Sequence, residues 1–218
     1  MDQDLARQRY ERIHDPSRLI ALSDGVFAIV LTLMVLEIHV PTDRTSLTTA
    51  LREIRPSVIA FLISFAIVGI SWMAHRDLFS NLRLTDRNLV WLNTIYLLPL
   101  SVVPFGAALL ANYEGEKVPV VLYGVLVVVL ALTRLAIWMY ATKRPHLLFE
   151  PVDPRSRRTG IVIVVVPLAI YVAAILLAGV KQGKISVALY AAVPVLYFVA
   201  ALVIKQTAPP GTAEGEVT

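Results

Sequence analysis

The stretch SDGVFAIVLTLMVLE, residues 23–37, decides how the chain is read. It is apolar enough for a membrane helix, yet Asp24 opens it and Glu37 closes it. The uncharged run between them, residues 25–36, is 12 residues long. A bilayer core calls for about 20 apolar residues. Widened to residues 18–40 the segment is long enough, but it then carries charge near both ends. It is a span only if those ends face something other than lipid.

The whole chain leans the same way. It has 218 residues, 57% of them hydrophobic, against roughly 45–50% in soluble domains. That excess is too large for one soluble core and points to an integral membrane protein. Five further uncharged or nearly uncharged runs follow: residues 57–74, 88–113, 118–142, 159–180 and 185–204. Arg134 alone interrupts the third of these, and Pro99 and Pro104 are expected to break the helix over 88–113. Each run is too long for a transmembrane strand. The expected fold is all-α, with six transmembrane helices over 18–205, a cytoplasmic segment 1–17 and a disordered cytoplasmic tail over 206–218.

Net charge is +4, and its first use in a membrane protein is orientation rather than nucleic-acid binding. With the N-terminus in the cytoplasm, 13 of the 20 Lys and Arg fall on the inner side and 6 on the outer, with Arg134 inside a span. This predicts a multi-pass protein of the cell membrane with both termini cytoplasmic. The outer connector after the first helix predicts a short amphipathic surface helix, with Leu47, Leu51 and Ile54 on one face. There is no cysteine, hence no disulfide and no thiolate site. His14, His39, His75 and His146 are scattered without metal-ligand spacing, so no metal or cofactor is expected.

Along a helix advancing about 100° per residue, Gly25, Ile29, Leu33, Leu36 and Val40 form one apolar stripe with Thr32 at its edge. Asp24 lies off that stripe and needs a partner on another helix. Arg18, six residues earlier, is not an i,i+4 partner for it. The second run ends ISWMAHRD, residues 70–77, which brings Trp72 and His75 to the same membrane edge as Ser23 and Asp24. His75 is expected to bond Asp24 or Ser23.

These residues carry a resemblance. Residues 18–41, RLIALSDGVFAIVLTLMVLEIHVP, resemble the first helix of the transmembrane protein 175 family, the lysosomal potassium channels and their bacterial relatives. The family pattern Arg-x-x-x-Phe-Ser-Asp stands here as Arg18, Leu22, Ser23 and Asp24, with Leu for Phe. Trp72 and His75 match its Trp-x-x-His in the second helix. The resemblance implies a homotetramer in membrane lipid, with the first helix lining a central pore for monovalent cations. It implies a pore constriction at Ile29, Leu33 and Leu36, a polar ring at Thr32, and Glu37 at the outer mouth. Arg18, Ser23, Asp24, Trp72 and His75 would brace the helix ends. The implied function is a modestly potassium-selective channel with a hydrophobic gate, potassium being the permeant ion. The alternative is a secondary transporter of a small solute or ion, against which no internal repeat is visible. An enzyme is not expected, because no convergent catalytic cluster stands inside the membrane.

Overall fold

The structure, a computed structural model, describes residues 15–39, 41, 46–114, 116–180 and 183–207, with side chains through 199. Among the described residues seven α-helices follow in order: α1 Ser17–Leu33, α2 Leu47–Glu53, α3 Arg55–Ser80, α4 Arg87–Asn112, α5 Lys117–Thr142, α6 Pro154–Gly179 and α7 Gly183–Thr207. A 3-10 turn, Met34–Glu37, continues α1. Among the described residues five elements are long and apolar enough to cross a membrane: α1 with its 3-10 turn, α3, α4, α5 and α6. The side chains of α7 form a shorter apolar helix over Gly183–Val199. The N-terminal segment before residue 15 and the tail after 207 lie outside the described residues.

Two expectations need correcting. The first helix does not run as α-helix to residue 40; it tightens at Met34. A 3-10 turn winds with about 3.0 residues per turn instead of 3.6, so Leu36 is rotated away from the angle an unbroken helix gives it. Nor do Pro99 and Pro104 break α4, which is continuous across both. Both prolines are buried, where packing against neighbouring helices compensates the lost backbone hydrogen bonds.

The bundle is held by aromatic residues that bury ring and hydroxyl together. Tyr96, Tyr123, Tyr190, Phe27 and Phe79 are among the largest fully buried side chains. Tyr123 shares a 2.8 Å hydrogen bond with Ser64, joining α5 to α3. Tyr190 donates to the Val120 carbonyl at 2.8 Å, joining α7 to α5. These bonds supply the partners that buried hydroxyls need in a water-poor medium.

One end of the bundle is clasped by its connectors. The backbone N–H groups of Arg83 and Leu84 both donate to the Leu147 carbonyl, and Phe149 N–H donates to the Asn81 carbonyl. Asn81 also exchanges two hydrogen bonds with the backbone of Glu150. Asp86 caps α4 by accepting from Leu89 N–H at 2.8 Å and takes a 2.6 Å bond from the Tyr140 hydroxyl. Arg144 lies 3.6 Å over the Tyr140 ring. The end of α3, the start of α4, the end of α5 and the start of α6 therefore share one side, as alternating spans require. At the same end Asp153 caps α6 through the N–H groups of Arg155 and Ser156. The hydrogen bonds from Ser156 and Arg155 hold the Asp153 carboxyl below the usual aspartate value.

α1, like α6, leaves most of its surface open. It packs on α3 and α4 through Leu19, Phe27, Val30 and Met34 and leaves its other faces bare. α2 is the short helix that the sequence predicts in the connector after α1, with Leu47 and Leu51 exposed and Ala50 turned inward.

Gly124 marks a close helix approach. A Cβ there would stand 2.3 Å from Tyr190 Oη and 2.5 Å from Ile175 Cγ1, and Tyr190 is fixed by its bond to Val120. In an open helix Gly→Ala stabilises by up to about 1 kcal/mol. Here overpacking reverses the sign and costs about 1–3 kcal/mol. Gly124→Ala is expected to lower the melting temperature of the detergent-solubilised protein by several degrees. A rise would show that α5 and α7 are not this tightly packed.

Candidate pore helix and its brace

Ser23 and Asp24 are adjacent in sequence, so the helix turns them to different sides. Ser23 is completely buried against the bundle, whereas Asp24 is exposed on the subunit surface. The two anchor separate contacts. The Trp72 indole N–H donates to Asp24 Oδ1 at 2.9 Å, and Arg76 lies 5.8 Å over the Trp72 ring. Ser23 instead accepts from Asn93 Nδ2 at 2.9 Å and donates to the Leu19 carbonyl at 2.9 Å. Asn93 Oδ1 meets His75 Nε2 at 2.9 Å. A carbonyl oxygen only accepts, so His75 carries its proton on Nε2 in this arrangement.

The His75 ring is flanked by three aromatic rings. It stacks on Phe79 at 3.8 Å, lies parallel to Tyr96 at 5.8 Å and meets Phe27 edge-on at 5.5 Å. His75 is thus held by α3 and α4 and touches α1 through the Phe27 ring, while its hydrogen-bond link to α1 runs through Asn93. The expected direct bond from His75 to Ser23 or Asp24 is replaced by this relay. Asn93 was the residue missed. Its signal was an asparagine well inside the uncharged run 88–113, away from Asn88 and Asn112 at the ends, where an amide needs an interhelical partner. Arg18 stands exposed at the start of α1, apart from both contacts.

The stripe on α1 points away from the bundle. Ile29 is 57% exposed, Leu33 45% and Leu36 66%, while Phe27 on the opposite face is 1%. Gly25 and Thr32 are exposed beside them, and nothing lies within 4 Å of a Cβ placed on Gly25. Thr32 Oγ donates to the Ala28 and Ile29 carbonyls at 2.9 and 3.0 Å, leaving its oxygen lone pairs outward. Glu37, half-buried, closes the 3-10 turn at the other end. Val40 lies outside the described residues. Lipid would suit the three apolar residues alone. It suits less a face that also carries Gly25 and Thr32 and adjoins the exposed Asp24. Among the described residues no group of His, Asp and Glu is arranged to hold a metal ion.

The family model described as the endosomal/lysosomal potassium channel TMEM175 matches residues 18–104. That region contains α1, the 3-10 turn, α3, Asn93 and both α4 prolines. A potassium channel of Streptomyces collinus is 37% identical over 156 residues, covering 68% of this chain and 76% of the relative. A potassium channel of Chamaesiphon minutus is 35% identical over 146 residues, covering 64% and 72%. The human endosomal/lysosomal proton channel TMEM175 is 30% identical over 151 residues, but the match spans only 30% of its length. The crystal structure of a lysosomal potassium-selective channel TMEM175 homologue from Chamaesiphon minutus superposes with a TM-score of 0.72 and 28% identity, covering 89% of this chain and 99% of that one.

Removing Asn93 strands two buried groups at once, the Ser23 oxygen and His75 Nε2–H, at about 1–3 kcal/mol each. Removing the Asp24 carboxylate strands one indole N–H at an exposed site. Asn93→Leu is therefore expected to lower the melting temperature in detergent clearly more than Asp24→Ala does. Equal or reversed losses would mean that the buried relay is not the main tie between α1 and the bundle.

Proposed function

The chain belongs to the TMEM175 family, and from that premise we propose that it is a potassium-selective channel of the cell membrane, a homotetramer whose α1 helices line the pore. The family is one of channels, and the chain is a membrane protein rather than an enzyme. The observation that carries the proposal is the exposed α1 face: three bulky apolar residues flanked by Gly25 and Thr32, with the exposed Asp24 on the adjoining side. Such a face is at home between neighbouring subunits and a water-filled axis. The choice of potassium follows the bacterial relatives, most of whose length this chain covers, and which are named potassium channels.

In this reading six helices, α1 and α3 to α7, span the membrane, and both termini lie in the cytoplasm. Residues 18–205 form the channel domain, between the cytoplasmic segment 1–17 and the tail 206–218. Rings of Ile29, Leu33 and Leu36 form the constriction. When narrow they expel water and block ions; slightly wider, they pass a partly dehydrated cation. Potassium sheds water more readily than sodium, which gives a modest preference without a cage of backbone carbonyls. Thr32 oxygens, with their proton turned back onto the helix, replace part of the lost hydration. Glu37 at the outer mouth concentrates cations. The Ser23–Asn93–His75 relay and the Asp24–Trp72 bond hold the inner end of α1, and Arg18 stands apart from both at the start of the helix.

Replacing an apolar ring by a polar one removes the dewetting barrier. Ile29→Asn or Leu33→Asn is expected to raise potassium flux in reconstituted liposomes and to move the reversal potential in a potassium–sodium gradient towards zero. Unchanged flux and selectivity in both variants would sink the pore assignment. Flux that saturates and depends on a second solute would instead identify a transporter.

A further inference from the structure

Arg134 is the costliest side chain in the membrane-spanning part, and the pore account makes no use of it. It lines two neighbouring cavities among α3, α5, α6 and α7. The smaller, about 30 Å³, lies toward the middle of the bundle beside Ser71, Val127 and Tyr171, and Arg134 is its one charged lining residue. The larger, about 390 Å³, opens toward the clasped end and has Ile70, Met73, Ile137, Trp138 and Ile163 among its mostly apolar walls. Among the described residues Arg134 makes no hydrogen bond or ion pair. Asp77 also lines the larger cavity, but it is exposed and seven residues along α3 from Ile70, about 10 Å of helix away. It marks the rim and does not neutralise Arg134.

A guanidinium at this depth calls for a counter-charge or water. Apolar walls with a single cation at the inner end select an anion with a compact apolar body. A volume of about 390 Å³ lies within the usual range for small-molecule sites. We propose that this cavity binds small amphipathic carboxylates, the carboxylate on Arg134 and the apolar body against Met73, Ile137 and Ile163, and that occupancy restrains the pore helix.

The restraint follows from one further lining residue. His75 lies on the wall of the same cavity, and its Nε2 holds Asn93, which holds Ser23 on α1. An occupant that fills the cavity presses α3 against its aromatic stack and fixes His75 in place. The inner end of α1 then loses the freedom that widening of the constriction requires. Binding stands independently of the channel reading; the effect on flux rests on it.

The test uses 4-fluorophenylacetate with the full-length protein in lipid nanodiscs, read by fluorine NMR. Saturable, protein-dependent broadening is expected. Arg134→Gln should weaken it about tenfold or more, the scale of one lost charge-assisted hydrogen bond, while Arg134→Lys retains most of it. Ile163→Trp, which fills the cavity from α6 and leaves Arg134 in place, should also abolish it. The neutral 4-fluorophenylacetamide should bind far more weakly. Equal binding of acid and amide, or indifference to both Arg134→Gln and Ile163→Trp, would overturn the site. In liposomes, saturating 4-fluorophenylacetate should slow potassium efflux; saturable binding with unaltered efflux would overturn the coupling. If no variant or condition passes potassium, the channel reading fails while the NMR still decides the site.

Discussion

The chain of hydrogen bonds from His75 through Asn93 to Ser23 is the constraint on which the rest depends. A buried amide or hydroxyl in a membrane protein must find its partner inside the protein, because neither lipid nor a dry core supplies one. Asn93 has both ends of its amide engaged, one by α3 and one by α1. That fixes which side of α1 meets the bundle. Once Ser23, Phe27 and Val30 face inward, Ile29 and Leu33 have to face outward, and Asp24 comes within reach of Trp72 on a third side. A slip of one residue along α1 would break the relay and bury the wrong face together.

The remaining helices form a firmer body. Tyr123, Tyr171 and Tyr190 cluster where α5, α6 and α7 meet, with ring centroids 5.3 and 6.2 Å apart. The paired connectors tie the clasped end of the same helices. Against that frame α1 is anchored along its length, through Leu19, Ser23 and Phe27 and then Val30 and Met34. Its second half tightens into the 3-10 turn and carries the bare apolar residues on the opposite side.

Much of this was legible in the sequence, for physical reasons that can be named. The long helices follow from uncharged runs of sufficient length. The α1 stripe follows from the 3.6-residue period, which holds while the helix stays regular. It fails at Met34, where the winding changes without any Gly or Pro to signal it. The Asp24–Trp72 contact was within reach because two polar groups near one membrane edge had few other partners. The His75 partner was misread because pairing was sought within the matched motif residues, and an asparagine 18 positions further on supplied the bond. Pro99 and Pro104 misled in the opposite sense: proline disfavours helix interiors in water, but tight neighbours keep α4 whole. Depth was hidden for Arg134, since distance from a helix end does not reveal the cavities that receive a side chain.

The central claim is that the bare stripe of α1 faces an aqueous ion path. The absence of native cysteine makes a single introduced thiol a clean reporter. Leu33→Cys and, as a lipid-side control, Leu122→Cys, also exposed on the subunit surface, would be reconstituted and treated with a membrane-impermeant cationic thiol reagent while potassium flux is followed. The account predicts progressive block of Leu33→Cys and no change in Leu122→Cys. Free flux through modified Leu33→Cys, with the thiol shown to have reacted, would contradict it.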